Sequence, residues 1–335
     1  MTGRRPGARM GAVTSRRSFL RRASAVVAAT WLPLPACVSA ALGGRPLRFG
    51  LCADVHQDVM HDAVERISAF AAAMAVEEDL AFVAQLGDFA RPVEANRPFL
   101  EAWNTCPRPR HHVIGNHDLD GGCSREEVVA FFGMPARYYG FTAGGCRFLV
   151  LDGNDRKPEG AAPGYPRWVG PEQIQWLREE LAAADGPVIV LSHQSLENPN
   201  GLENGAELRA LLESANAAPG GARVLACFSG HHHLDYATTI RGIHYVQVNS
   251  MSYYWVGGDH PYPRYSAEVD AGHPWIKYTA PYRDPLWMLV TLTPDRGLRL
   301  EGVRSEWVGP SPQELGAALD QPEGSVVPWI RDRIL

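Results

Sequence analysis

Five short polar clusters in this chain each directly follow an apolar stretch. Their members are acidic, histidine and asparagine side chains, which bind metal ions or exchange protons and are costly to bury alone. Mixed histidine nitrogen and carboxylate oxygen ligands suit Mn, Fe and Zn better than Ca or Mg. A carboxylate shared by two such ions would hold them close enough to clamp a phosphoryl group. In chain order the clusters are Asp54 and His56; Asp88; Asn116, His117 and Asp118; His193; and His231 and His233.

Taken singly, none of these clusters is specific. A lone histidine after a strand is most often a hydrogen-bonded structural residue, and Asn116-His117-Asp118 is also compatible with an ordinary turn. Their arrangement is more informative, because the carboxyl ends of the strands in an open α/β sheet face one crevice. All five clusters stand at such ends, so we expect these sequence-distant residues to converge on one site.

The segments that carry the clusters alternate between strand-like and helix-like patterns, which predicts an α/β fold with helices covering the sheets. A capping box, Ser124-Arg125-Glu126-Glu127, opens one of the helices. We find no internal repeat and no low-complexity linker, which favours a single domain over residues 41–335. Strands are predicted at 47–53, 80–86, 110–114, 146–152, 187–192, 223–229, 235–240, 243–249, 286–293 and 297–303, and helices at 58–77, 124–133, 171–184 and 204–216.

Together the clusters resemble the motif series of the calcineurin-like metallophosphoesterase superfamily, which is D-x-H, GD, GNH[DE], H and GHxH. The resemblance covers residues 46 to about 250. It implies a four-layer sandwich in which two mixed sheets are flanked by helices, with the metal site at the carboxyl ends of the strands. It also implies two metal ions, Mn, Fe or Zn, as cofactors.

The same resemblance implies a role for each clustered residue. His117 would lie near the leaving-group oxygen as general acid or transition-state stabiliser, oriented by Asp118. A metal-bridging hydroxide would attack phosphorus in line, which implies hydrolysis of a small phosphomonoester, phosphodiester or diphosphate. Seven residues would be the metal ligands: Asp54, His56 and His233 at one ion, Asn116, His193 and His231 at the other, and Asp88 between the two.

Departures from the better-known branches narrow the expected activity. Purple acid phosphatases carry a tyrosine ligand three residues after the bridging aspartate, whereas this chain has Arg91 there. Serine/threonine protein phosphatases follow their GD with an aspartate-arginine-glycine run, which residues 87–92 lack. Residues 111–117, 148–152 and 170–177 are instead similar to segments of cyclic-nucleotide phosphodiesterase-like members and of the manganese-dependent ADP-ribose/CDP-alcohol diphosphatase group. We therefore expect a small phosphorylated substrate rather than a protein.

A second interpretation places the chain in a different functional class. A protein of this fold can keep its metal ligands and yet serve as a non-catalytic metal-binding scaffold that holds a partner. Residues 252–285, which carry six tyrosines and two tryptophans, would then be the docking surface. The presence of both His117 and Asp118 favours the enzyme over the scaffold.

The aromatic stretch 252–285 is too long and too aromatic for a plain connector, and we interpret it as a rim or lid over the site. A flap that only covers the core is the alternative. Asn154 and Tyr253, together with Tyr254 and Trp255, are candidate substrate-binding residues that would stack a base or a sugar. Ordinary packing at the rim explains their positions equally well.

The first forty residues carry the features of an export signal. A twin-arginine motif at 14–20 precedes an apolar stretch at 23–36, which is too short and too interrupted by proline to span a membrane. Residues 1–40 therefore predict export by the twin-arginine translocase, a periplasmic or extracellular mature protein, and no stable membrane span after cleavage. Lipid attachment at Cys37 is a minor variant of this prediction.

Charge and cysteine content limit the remaining functions. Removal of residues 1–40 would leave 25 basic and 37 acidic residues, a net charge of −12. Such a surface repels phosphate backbones, so nucleic-acid binding is not expected. The five remaining cysteines are scattered, which argues against a zinc knuckle or a dense disulfide framework, while pairing of Cys106 with Cys123 stays open.

Overall fold

The computed structural model describes residues 42–161, 163–218, 223–294, 297–317, 319 and 321–335. The predicted export signal at residues 1–40, with Cys37, lies outside these described residues. Within the described ranges, no helix is both long enough and apolar enough to cross a membrane.

The described residues form strands and helices in the alternating order that the sequence predicts. The strands are β1 (Leu47–Cys52), β2 (Leu80–Gln85), β3 (Arg110–His112), β4 (Tyr139–Ala143), β5 (Cys146–Val150), β6 (Pro187–Ser192), β7 (Arg223–Ser229), β8 (Tyr236–Ile240), β9 (Ile243–Gln247), β10 (Tyr253–Trp255), β11 (Thr279–Pro281), β12 (Met288–Thr293), β13 (Gly297–Gly302) and β14 (Arg333–Ile334). The α-helices are α1 (Ala63–Val76), α2 (Arg97–Asn104), α3 (Arg125–Phe132), α4 (Pro171–Ala183), α5 (Gly205–Ala217) and α6 (Ala267–Gly272), and short 3₁₀ helices span Glu94–Asn96, His117–Gly122 and Ile276–Tyr278.

Two six-stranded mixed sheets contain most of these strands. The first has the order β14-β13-β12-β1-β2-β3, in which β1, β2 and β3 run parallel and β12 pairs antiparallel with β1. The second has the order β4-β5-β6-β7-β9-β8, with a parallel centre and antiparallel edge pairs. In each sheet the neighbouring parallel strands direct several carboxyl ends to the same edge.

A cluster of phenylalanines joins the two sheets. The ring of Phe49 on β1 stacks on that of Phe82 on β2 at 4.9 Å between centroids. It also meets Phe148 on β5 edge-on at 5.3 Å and Phe228 on β7 at 6.0 Å. All four rings are fully or almost fully buried, so they form the centre of the core between the sheets.

Alternation along the strands of the second sheet divides the apolar side chains between two cores. Ile189 and Leu191 on β6 face the phenylalanine cluster, whereas Val188 and Val190 pack with leucines of α4 and α5 on the opposite face. On the first sheet, Gly50 has no side chain on its outer face, where Met74 of α1 approaches. Helices therefore cover both outer faces, which confirms two mixed sheets flanked by helices.

The predicted elements agree with the structure except at short or weakly periodic segments. The helix predicted at 58–77 begins at Ala63, because residues 58–62 form a turn in which Asp58 pairs with Arg91 at 2.9 Å. The sequence did not predict β4, β10, β11, β14, α2 or α6. Cys106 is buried, Cys123 is partly exposed, and both are free thiols.

Phe49→Ala should lower the free energy of unfolding by about 3–5 kcal/mol, because it opens a cavity between the two sheets. Urea denaturation followed by far-ultraviolet circular dichroism measures the change. Val76→Ala, at an exposed position on α1, is the control and should shift stability by less than about 0.5 kcal/mol. Equal effects of the two substitutions would contradict the central position of Phe49.

Candidate metal centre

The polar clusters of both sheets meet at the carboxyl ends of their strands. The carbonyl oxygen of Gly87 accepts from the backbone N–H of Asp54 at 3.0 Å, which ties the loop after β1 to the loop after β2. The carboxylate of Asp54 accepts from the backbone N–H of His231 at 3.0 and 3.1 Å, which ties the first sheet to the second. The clustered side chains are Asp54, His56, Asp88 and Asn116 from the first sheet, and His193, His231 and His233 from the second.

Asp54, His56 and His233 form one compact group of donor atoms. Nε2 of His233 lies 3.2 Å from Oδ1 of Asp54 and 3.2 Å from Nε2 of His56. Nε2 of His56 is 3.9 Å from the same aspartate oxygen. All three side chains are buried, so their donor atoms are shielded from bulk water.

Asp88, His193 and His231 form a second group, and Asn116 adjoins it. Nε2 of His193 lies 3.2 Å from Oδ2 of Asp88 and 3.2 Å from Nδ1 of His231. It is also 3.1 Å from Oδ1 of Asn116. The structure thus brings all seven sequence-predicted ligands into two adjacent groups.

Asp88 lies between the two groups. Its Oδ2 is 3.2 Å from Nε2 of His193 and 3.7 Å from Nε2 of His56. Its Oδ1 accepts from the backbone N–H of His117 at 2.8 Å, which fixes the orientation of the carboxylate. One carboxylate oxygen is therefore within reach of both groups.

Hydrogen bonds behind the cluster decide which histidine nitrogens are free. Nδ1 of His193 lies 2.8 Å from the carbonyl oxygen of Leu86, and Nδ1 of His233 lies 2.7 Å from that of Tyr253. A carbonyl oxygen only accepts, so both Nδ1 atoms carry a proton and both Nε2 atoms direct a lone pair into the cluster. Lone pairs and carboxylate oxygens that face one another repel unless a cation lies between them. The donor set therefore fits two metal ions.

The backbone of the ligand loops is strained. The left-handed region costs a non-glycine residue about 1–3 kcal/mol and persists only where its surroundings enforce it. Among the described residues other than glycine, only Asp79 and Arg241 share this conformation without being predicted ligands. The predicted ligands with φ between 51° and 70° are Asp54, His56, Asp88, His231 and His233.

Two glycines make the close approach of the loops possible. A methyl group on Gly115 would overlap the backbone nitrogen and the carboxylate of Asp88. Gly87 has a φ of +94°, and a methyl group there would overlap the ring of His193. The glycines of the GD and GN motifs are therefore both required by space, and Gly87 is required by its backbone conformation as well.

Burial and charge set the protonation of the cluster. Burial lowers the pKa values of His56 and His231 well below their ordinary range. Burial also disfavours the charged form of His193, but the carboxylate of Asp88 outweighs it and raises the pKa of His193 to about 9. The carboxylate of Asp88 therefore favours a positive charge beside Nε2 of His193, which a bound cation would supply.

Asp118 does not orient His117, contrary to the sequence-based prediction. Its carboxylate accepts from the backbone N–H groups of Phe89 at 2.7 Å, Ala90 at 3.0 Å and Gly115 at 2.7 Å. Asp118 therefore joins the loops after β2 and β3. Both carboxylate oxygens of Asp118 accept hydrogen bonds from these three N–H groups, which fixes the side chain against the two loops.

Asp120 is the partner of His117. Nδ1 of His117 lies 2.7 Å from Oδ2 of Asp120, three residues later in the 3₁₀ turn, where the two side chains lie on one side. The hydroxyl of Tyr165 donates to Oδ1 of Asp120 at 2.8 Å, and its ring lies 4.8 Å from that of His117. Burial lowers the pKa of His117, but Asp88 and Asp120 outweigh it and raise that pKa to about 9.

The two candidate substrate-binding residues lie at the site in different ways. The amide nitrogen of Asn154 donates to Ile114 and Asp152, and its oxygen accepts from Gln194 at 3.0 Å, so its side chain is engaged within the protein. Tyr253 is buried, with its ring 4.9 Å from that of His56. These contacts favour the packing explanation for Asn154 and place Tyr253 directly against a predicted ligand.

Most of the aromatic stretch 252–285 lies beyond these contacts. β10 and β11 pair antiparallel within it. Trp255 and Trp275 are 43% and 58% exposed, and each lies about 6 Å from the ring of Tyr278. The lid interpretation therefore stays a prediction, since only the first strand of the stretch touches the cluster.

A further support, which the sequence analysis missed, lies behind the last histidine. Asp235 is fully buried two residues after His233, and its carboxylate pairs with Arg331 at 3.0 Å and Arg333 at 2.6 Å. The carboxyl-terminal segment thereby holds the loop that carries His231 and His233. Partners almost one hundred residues apart leave no local pattern that would reveal this pairing.

Comparisons with known proteins agree with this fold. The family model of the calcineurin-like phosphoesterases matches residues 47–235. No curated protein matches the chain.

Two solved structures share the fold. A dimetal phosphatase from Danio rerio has a TM-score of 0.55 and 18% identity, over 78% of this chain and 98% of that one. GAP50, described as the anchor in the inner membrane complex of Plasmodium, has a TM-score of 0.52 and 16% identity, over 87% of this chain and 88% of that one. At these identities the likeness is one of fold alone.

His193→Ala should reduce the metal content of the loaded protein from two ions to about one per chain, because it removes a donor from the second group. Elemental analysis of the purified variant measures this content. His244→Ala is the matched control, since His244 lies on β9 near the other end of the same sheet and bonds to Thr239. Unchanged metal content in His193→Ala would contradict the assignment.

Gly115→Ala should weaken metal binding about tenfold although it removes no ligand, because the added methyl group displaces Asp88. Competition with a fluorescent chelator measures the affinity. Gly258→Ala, where the same methyl group meets open space, should leave the affinity unchanged. If both variants bind metal like the wild type, the position of Asp88 does not govern the site.

Proposed function

Because this chain belongs to the calcineurin-like phosphoesterase family, we propose that it is a dinuclear-metal-dependent phosphoric ester hydrolase. The proposed substrate is a small phosphomonoester, phosphodiester or diphosphate. The observation that carries this proposal is the position of Asp88, whose Oδ2 lies within 3.7 Å of a histidine nitrogen in each donor group. A carboxylate shared by two ions holds them close enough together to clamp one phosphoryl group.

In this proposal each donor group holds one ion. Asp54, His56 and His233 hold the first, and Asn116, His193 and His231 hold the second. When bound, two ions of Mn, Fe or Zn supply an activated water and neutralise charge on the phosphoryl oxygens. Asp88 would be shared between the two groups, and the hydrogen bond that its carboxylate accepts from the backbone N–H of His117 keeps it in place.

His117 is the proposed proton donor to the leaving group. Its Nδ1 is held by Asp120, and the charge of the two neighbouring aspartates favours the imidazolium form at neutral pH. The Nε2 proton is then available to an oxygen that leaves phosphorus. Asp120 is a positioning residue in this account, because it touches His117 and not the substrate.

The contacts of Arg91 support the departure from purple acid phosphatases. Its guanidinium pairs with Asp58 at 2.9 Å, and its backbone N–H donates to the same carboxylate. An arginine in this position offers no tyrosinate ligand to iron. A branch that cleaves nucleotide-like diesters or diphosphates stays our preferred assignment, on the sequence similarities described above.

We also propose that the chain is exported through the twin-arginine translocase and acts in the periplasm or outside the cell. The support is the sequence of residues 1–40. Replacing Arg16 and Arg17 by lysine should retain the protein in the cytoplasm, which cell fractionation measures. Export of the double variant at the normal level would contradict this route.

Hydrolysis assays on the metal-loaded full-length protein test the proposed function. Mn, Fe, Zn and Mg are compared on 4-nitrophenyl phosphate, bis(4-nitrophenyl) phosphate, cyclic AMP and ADP-ribose. Turnover of at least one ester is expected, and preference for a diester or diphosphate would support the nucleotide-cleaving branch. Silence on all four with both metals bound would favour the non-catalytic scaffold.

His117→Ala should keep both metals and lose activity, most severely on esters with poor leaving groups, because these depend most on protonation. The slope of log kcat/KM against leaving-group pKa over a series of aryl esters measures this dependence. Asp120→Asn should steepen the slope in the same direction by a smaller amount. Equal losses on good and poor leaving groups would count against His117 as an acid.

A further inference from the structure

A cavity of about 810 Å³ opens beside the candidate metal centre. Its wall includes Asn116, a proposed ligand, and Tyr165, whose hydroxyl and ring contact Asp120 and His117. Tyr165 lies on the Nδ1 side of His117, so the cavity adjoins the candidate metal centre at Asn116 and at this side of the imidazole ring. This volume accommodates a ligand much larger than a phosphate ion, so the cavity is suited to the leaving-group part of a substrate.

Two arginines and one glutamate contribute charge to the cavity wall, and the two arginines differ in whether they have an ion-pair partner. Arg125 is already neutralised, since it pairs with Asp152 at 3.2 Å and Asp155 at 3.0 Å. Arg156 also lines the cavity and is exposed, and it has no hydrogen-bond or ion-pair partner within the described residues. Glu126 is the carboxylate on the same wall. Arg156 is thus the cation that stays available to a ligand.

The chain next to Arg156 is held in place. The backbone N–H of Asp155 donates to the carbonyl oxygen of Trp168 at 3.0 Å, and the Asp155 carboxylate accepts from the backbone N–H of Gly170 at 2.8 Å. Asn154 is fixed by the bonds described above. A free cation attached to an immobilised backbone at a cavity wall is a suitable anchor for an anionic group.

We propose that Arg156 is a specificity-determining residue that binds a second anionic group on the leaving-group part of the substrate. This inference rests on the proposed function, because it requires a phosphoryl group at the metal centre. The substrate class that follows is a phosphoric ester or anhydride whose leaving group carries its own phosphate or carboxylate. Esters of uncharged alcohols would make no use of this arginine.

Calorimetric binding of two non-cleavable or product-like nucleotides tests this inference on the metal-loaded full-length protein. AMP places one phosphate at the metals, whereas α,β-methylene ADP adds a second charged group that can reach the cavity. Arg156→Gln should weaken α,β-methylene ADP binding about fivefold, the scale of an exposed ion pair, and leave AMP unchanged. Glu126→Gln should tighten α,β-methylene ADP binding, because it removes the opposing charge.

Arg241→Gln is the matched control, since Arg241 is exposed in the turn between β8 and β9 at the far end of the second sheet. It should leave both affinities unchanged. If Arg156→Gln weakens both nucleotides equally, or neither, while the wild type binds them and hydrolyses an ester, the inference is overturned and the proposed function stands. If the loaded wild type binds neither nucleotide and hydrolyses no ester, both are overturned.

Discussion

Repulsion among buried electron-pair donors is the constraint on which the rest of this structure depends. Two carboxylates and several histidine nitrogens face one another at distances near 3.2 Å, away from bulk water. Such a cluster is unfavourable by itself and becomes favourable when cations occupy it. The protein must therefore hold the donors in place before any ion binds, and the surrounding fold can be understood as the means of doing so.

Several features share that task. The left-handed backbone of five predicted ligands is enforced by contacts from neighbouring loops, such as the bond from the backbone of His56 to the carbonyl oxygen of Asp88 at 3.0 Å. Serine hydroxyls at 250 and 252 donate to the carbonyl oxygens of Asp54 and Val55, each at 2.8 Å. Strain at the ligands is thus balanced by hydrogen bonds from segments that carry no ligand.

The metal centre and the fold also stabilise each other across the two sheets. Leu86 in the first sheet accepts from His193 in the second, and Asp54 in the first accepts from the backbone of His231 in the second. Ions bound by ligands from both sheets would add to the packing of the phenylalanine core, because any ligand that binds only the folded state stabilises it. Next to the cluster, Tyr165 bonds to Asp120 and also lines the adjacent cavity.

The sequence by itself determined the elements and their polar ends. The apolar runs that became β1, β2, β6 and β7 were predicted to within two residues, and the polar residues that follow them could be named, because strand patterns and loop motifs are local. The functional roles of these residues are still predictions. Only the tertiary structure decided which side chains meet: that Asp120 rather than Asp118 holds His117, that Asp235 binds Arg333, and that Arg156 lines a cavity beside Asn116. These contacts depend on the paths of loops that follow different strands and helices. Packing and hydrogen bonds between segments far apart in the chain set those paths.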